Sequence, residues 1–137
     1  MYTPASSRAA NAYRQVGVQS GVTNATPHTL VQMLFDGLMQ RLQAARGDLQ
    51  RSDVQAKGVH LGQAVQILGE GLKASLNAEQ GGELAQNLGV LYDSCIRQLT
   101  MANLHNDIEP VEEVIALIAP VARGWKEIGA SGQAAEG

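Results

Sequence analysis

One cysteine, one tryptophan and one phenylalanine occur in 137 residues. The lone Cys95 rules out an intramolecular disulfide and a cysteine metal cluster. Aromatic residues make up 4% of the chain. A core must therefore be assembled from Leu, Val, Ile, Ala and Met, and such side chains suit helix packed on helix better than sheet on sheet. Lys and Arg are scattered, and the formal net charge is −3. The basic stripe of a nucleic-acid binder is missing, as is a polybasic membrane anchor. No apolar run approaches the roughly 20 residues of a membrane span. Met1 to Asn11 lacks the apolar stretch of a signal peptide. The expectation is a reduced, cytoplasmic protein with no nucleic acid and no membrane insertion.

What is present is apolar material in helical rhythm. Hydrophobic residues are 45% of a chain whose length fits one domain, and a domain of this size buries about two-thirds of the surface its unfolded chain exposes. Residues 1–26 are rich in small and polar types. A short helix is predicted from Ala5 to Val16, with Ala9, Ala12, Tyr13 and Val16 on a narrow face, and Ser20 to Thr26 reads as a linker. Thr26-Pro27 starts the first long helix, because Thr caps free N–H groups and Pro lacks the N–H that has no partner there. Leu30, Leu34, Leu38, Leu42, Ala45 and Leu49 follow at spacings of three and four, widened by Val31, Phe35 and Met39.

Ser52 to Gln55 has capping-box spacing and opens the second long helix. Its stripe is Leu61, Val65, Leu68, Leu72 and Leu76, and Gly81-Gly82 is expected to end it. The third carries Leu84, Leu88, Leu91, Cys95, Leu99 and Ala102, and Asn103 to Glu109 forms a turn. The fourth carries Val111, Val114, Ile118, Val121, Trp125 and Ile128. A tail at 130–137 is expected to be disordered. Short loops force neighbouring helices antiparallel. The predicted architecture is therefore all-α: an antiparallel four-helix bundle over 27–129, preceded by a short additional N-terminal helix and linker over 1–26. No period-two strand pattern competes. Pro120 is expected to kink the last helix. Glycines at 37, 47, 58, 62, 69, 71, 89 and 124 fall inside helices, where they mark close packing or leave shallow outer grooves.

Catalytic chemistry finds no support. His28, His60 and His105 lack the Glu-x-x-His spacing of a bundle metal site. Glu112-Glu113 suit the first turn of a helix by favouring its dipole. Cys95 lies in an apolar stripe, as a small buried hydrophobe does. No GxxxxGK(S/T), GxSxG or HExxH motif occurs. No catalytic residue, metal ligand or cofactor is assigned, and the chain is not expected to be an enzyme. Trp125 is expected to close one end of the core. Tyr92, one position off its stripe, fits either core packing or a partner contact at the bundle's flank.

Several segments, in order, resemble one known family. They are Asn11-Ala12-Tyr13, the Thr-Pro helix start, Leu34-Phe35-Asp36-Gly37, and Gly81-Gly82-Glu83-Leu84-Ala85-Gln86-Asn87-Leu88. Leu91-Tyr92-Asp93, Leu99-Thr100-Met101-Ala102-Asn103 with Asn106-Asp107, Glu112-Glu113-Val114 and Trp125-Lys126-Glu127-Ile128 follow. Over Asn11 to Ile128 the chain resembles the flagellin-specific export chaperones, the FliS family. It departs from the family pattern at Phe35, where Tyr is commoner, at Ser94-Cys95, where another aromatic is often found, and at Pro120 and the extra glycines.

The resemblance implies a four-helix bundle with a short N-terminal helix lying across it. It implies binding of the C-terminal segment of flagellin, which keeps it from polymerising early and assists its delivery to the type III export apparatus. Amphipathic, unassembled segments of that kind suit a bundle with apolar outer grooves, and folding on binding favours a long interface. The narrow-faced N-terminal helix is expected to act as a removable cap over one groove. Candidate partner-binding residues are Tyr13, as anchor of that cap or contact to the cytoplasmic domain of the export gate, and Asn87, Tyr92, Asn103 and Asn106 at groove edges. Leu61, Val65 and Leu72 are apolar groove candidates that core packing explains equally well. Alternatives are a self-assembling bundle, a metal carrier or enzyme, and a regulator holding another secretion-linked protein such as an anti-sigma factor. A monomer or weak homodimer is expected.

Overall fold

Four helices follow one another among the described residues. The computed structural model describes residues 26–76 and 78–136, with side chains for 26–76 and 81–129. Helix α1 spans Pro27–Gln50 and α2 spans Val54–Gln66, continuing into a π-helical stretch, Ile67–Lys73. Helix α3 spans Ala78–His105 and α4 spans Ile108–Glu136. There is no strand among the described residues. The expected N-terminal helix, with Tyr13 on it, lies outside them.

Helix α1 begins as its sequence predicts. The Thr26 hydroxyl accepts the Thr29 N–H at 3.1 Å, and Pro27 takes the first helical position. The start of α2 differs from expectation by one residue. Asp53, not Ser52, caps it, with its carboxylate accepting the Ala56 N–H at 3.1 Å. Ser52 is used otherwise: at φ 59° it closes α1. The Asp53 N–H reaches Asp48 O at 2.8 Å and the Ser52 N–H reaches Leu49 O at 3.2 Å, which is the Schellman closure. Asn106 does the same at the end of α3, with φ 53° and an Asp107 N–H to Ala102 O bond of 3.1 Å.

The second helix also ends earlier than Gly81-Gly82. Its π-helical stretch stops at Lys73, and Ser75 and Leu76 close the turn on carbonyls of residues 71–73. Gly82 instead breaks the first turns of α3, with φ 55° and ψ −128°, angles open to a residue without Cβ. The backbone of α4 continues past Gly129 to Glu136, through a run that includes the strong helix former Ala.

Helix α1 packs on α2 and α4, and α3 closes the ring against both. Neighbours are antiparallel: Gly37 meets Ile67, Lys57 meets Asn103, and His28 meets Trp125. This is the expected bundle. Leu34, Phe35, Leu38 and Leu42 of α1 are fully buried against Leu61 and Leu68 of the second helix, Leu99 of α3, and Val111, Val114 and Ile118 of α4. Each such side chain contributes about 1.5–3 kcal/mol through removal from water. Cys95 belongs to this core, and burial pushes its thiol up to about 11.

Two charged groups are buried at the end of the bundle where α1 meets α2. Asp48 accepts from Arg51 Nη2 at 2.8 Å and pairs with His60 Nδ1 at 2.5 Å. Lys57 Nζ donates to the Asn103 carbonyl at 2.9 Å and to its side-chain oxygen at 2.7 Å. The ammonium thereby satisfies a carbonyl in the last turn of α3.

Candidate partner-binding cleft

Among the described residues, the opposite end of the bundle is open. A cleft of about 380 Å³ lies between the start of α1, the end of the π-helical stretch, the start of α3 and the later part of α4. Val31 and Phe35 come from α1, Leu72 and Leu76 from the second helix, Leu84, Leu88 and Tyr92 from α3, and Val121 and Trp125 from α4. Among the described residues, no Lys, Arg, Asp or Glu lines it. Leu84 stands at its rim, 65% exposed, while Phe35, Leu72 and Tyr92 at its floor are buried and belong also to the core.

One wall is fixed by a pair of rings. His28 and Trp125 stack with centroids 4.7 Å apart and planes 4° from parallel. Trp125 Nε1 donates to the His28 carbonyl at 3.0 Å, and His28 Nε2 donates to the Trp125 carbonyl at 2.6 Å. Gly129, one turn further along α4, lies so close to the imidazole that a Cβ there would overlap it. Ser75 Oγ donates to Leu72 O at 2.9 Å. Tyr92 is 2% exposed at the cleft, and its hydroxyl is held above its ordinary acidity range by burial first and by Cys95 second.

A concave apolar site with few polar groups takes an apolar side chain or helix face, not a charged metabolite. No group of three or more His, Cys, Asp or Glu able to hold a metal is present among the described residues, and no helix there is long and apolar enough to cross a membrane.

Residues 9–132 match the family "Flagellar protein FliS". The chain belongs to the FliS family. It is 48% identical over 128 residues to the flagellar secretion chaperone FliS of Salmonella typhimurium, covering 93% of each chain. It is 47% identical over 116 residues to that of Escherichia coli, covering 85% of each. The similarity extends to Bacillus subtilis, whose flagellar secretion chaperone FliS is 31% identical over 109 residues, 80% of each chain. The FliS family is thus one of flagellar secretion chaperones, named for escorting and not for a reaction.

Of the residues singled out from sequence in this FliS-family chain, Leu72 and Tyr92 meet in the cleft. Leu61 is a core residue, 1% exposed, and Val65 packs half-buried against that core. Asn87 is exposed on α3 outside the cleft lining. Asn103 is the acceptor for Lys57, and Asn106 is the left-handed closure of α3; both lie at the opposite end. Tyr13 is outside the described residues. The sequence reading did not single out His28, Val31, Phe35, Leu84, Leu88 or Val121 as site residues. Its one available signal was the width of the α1 stripe, where Val31 and Phe35 exceed what one seam needs. Trp125, expected to close the core, is half-buried and serves as a cleft wall.

Proposed function

We propose that this chain is a cytoplasmic export chaperone that binds the C-terminal segment of flagellin. It keeps that segment from polymerising early and presents it to the cytoplasmic domain of the export gate. The observation that carries this reading is the uncharged apolar cleft at the open end of the bundle, which suits one face of an amphipathic helix. Membership of a secretion-chaperone family supports the partner's class. The chain acts as a monomer or weak homodimer, without cofactor or catalysis.

The test is a calorimetric titration of the full chain with the C-terminal segment of flagellin from the same organism, with the N-terminal segment as control. Binding of the C-terminal segment alone, with a large negative heat-capacity change, is the expected result, because ordering a segment on an apolar surface buries extensive area. A folded chain that binds neither segment would direct attention to another secretion-linked partner, such as an anti-sigma factor.

A further inference from the structure

Among the described residues, the polar side chains around the cleft are few, and all but one are engaged within the protein. His28 and Trp125 bond each other's backbone carbonyls through their ring N–H groups. The Ser75 hydroxyl donates to the Leu72 carbonyl. The exception is Tyr92. Its ring is packed into the hydrophobic core, it lines the cleft, and its hydroxyl has no hydrogen-bond partner among the described residues. That hydroxyl is not one of the fully buried unpaired polar atoms, so water meets it in the free protein, and an apolar occupant that displaced this water without replacing its bond would be penalised. A tyrosine hydroxyl is neutral at pH 7 in any case, and burial shifts it further in the same direction, so it is a donor that carries no charge.

Resting on the reading of the cleft as the partner site, we propose that Tyr92 is a specificity-determining donor. The segment that enters the cleft brings an amide carbonyl to the Tyr92 hydroxyl while its apolar side chains fill the walls. A carboxylate is disfavoured as the acceptor because, among the described residues, no Lys or Arg lines the cleft to offset its desolvation. A backbone carbonyl inside a helix is already used, so the acceptor is a carbonyl from a helix's last turn or an Asn or Gln side chain. Discrimination follows from the unmet donor. A segment of equal apolarity without an acceptor at that place leaves the hydroxyl unpaired in a site that now excludes water, and such mismatches weigh more against a ligand than a missing methylene does.

The experiment compares the full-length wild type, Tyr92→Phe and Leu84→Asp in titrations with the flagellin C-terminal segment. Thermal unfolding of each protein is measured alongside. Tyr92→Phe keeps the ring and is expected to melt at the wild-type temperature or above it, yet to bind about tenfold more weakly, the loss of one buried hydrogen bond. Leu84→Asp places a charge on the exposed rim and is expected to abolish binding without loss of fold. Segments with each Asn or Gln replaced in turn by Leu identify the acceptor. One such replacement that weakens the wild type but not Tyr92→Phe assigns a side-chain amide, and none assigns the helix end. Wild-type affinity in Tyr92→Phe, with binding lost in Leu84→Asp, overturns the donor role and leaves the cleft reading intact. Wild-type affinity in both variants overturns the cleft reading, and the donor role with it.

Discussion

His28 and Trp125, 97 positions apart in sequence, hold each other by two reciprocal hydrogen bonds and a parallel stack. This fastens the first turn of α1 to α4 beside the cleft. Each ring N–H is paired with the other residue's carbonyl, so removing either ring leaves an acceptor unmet as well as losing the stack. His28→Ala and Trp125→Phe should each lower stability by about 1–3 kcal/mol. The double variant should cost less than the sum of the two, with a coupling of about 0.5–3 kcal/mol. Urea unfolding of the four proteins checks this; strict additivity would show that the two residues do not act as a pair.

Trp125 is the only tryptophan, and it lines the cleft. Its fluorescence should therefore report occupancy. Titrating a segment that fills the cleft should shift the emission toward shorter wavelength as water leaves the indole. A partner that binds with no change in emission would be sitting elsewhere on the bundle.

Two glycines should respond with opposite sign to the same change. A Cβ at Gly62 meets nothing within 4 Å, so Gly62→Ala should stabilise the protein by about 0.5–1 kcal/mol, the usual helix-propensity gain. A Cβ at Gly129 overlaps the His28 ring, so Gly129→Ala must displace that ring and should destabilise. Melting temperatures decide it, and a rise for both would mean that the His28 ring yields freely.

The eight candidate residues show where sequence was informative. Periodicity identifies which face of a helix is apolar, and so it located the α1 stripe and the four-helix architecture. It does not say which part of an apolar face meets core and which meets a cleft, since both demand the same side chains. Leu61 and Leu72 read identically along the chain and are equally buried in the core, yet only Leu72 also borders the cleft. Asn103 and Asn106 are exposed, as groove-edge residues would be, but sequence does not show that Asn103 also bonds the buried Lys57 or that Asn106 takes the left-handed position that closes α3. Ser52 was assigned a cap because a left-handed serine has no mark in sequence beyond its neighbours.

Lys57 should be unusually sensitive for a lysine. Lys57→Ala removes both bonds to Asn103 and the packing of the buried stem, at an expected cost of about 2–3 kcal/mol. Lys57→Met retains the stem and should recover part of that loss. Chemical denaturation separates the two contributions; equal losses would show that the stem adds nothing.

Alkaline conditions should loosen the core. The folded protein holds the Cys95 proton to about 11, against an ordinary value of 9.0, and burial also raises Tyr92. The unfolded chain therefore releases these protons first, and stability falls as pH rises from 9 toward 11. The slope of unfolding free energy against pH over that range should be smaller in Cys95→Ala. At neutral pH the thiol should resist alkylation until the chain is unfolded.

The pairing of helices gives the bundle a mechanical property. At the open end, His28 and Trp125 clasp α1 to α4, whereas α2 and α3 are joined by Lys73 to Asp93 at 2.8 Å and by Lys57 to Asn103. Between these two layers Asp48 pairs with His60, at the far end. The cleft opens between the same layers, as the jaws of a clothes peg open away from its spring. Helix α1 has 24 residues, about 36 Å at the usual rise, so a tilt of about 3° about the Asp48–His60 end widens the jaws by about 2 Å without breaking a helical hydrogen bond. Such a tilt must part the buried Leu30, Leu34, Phe35 and Leu38 from the second helix, so the close-packed core sets the stiffness of the spring.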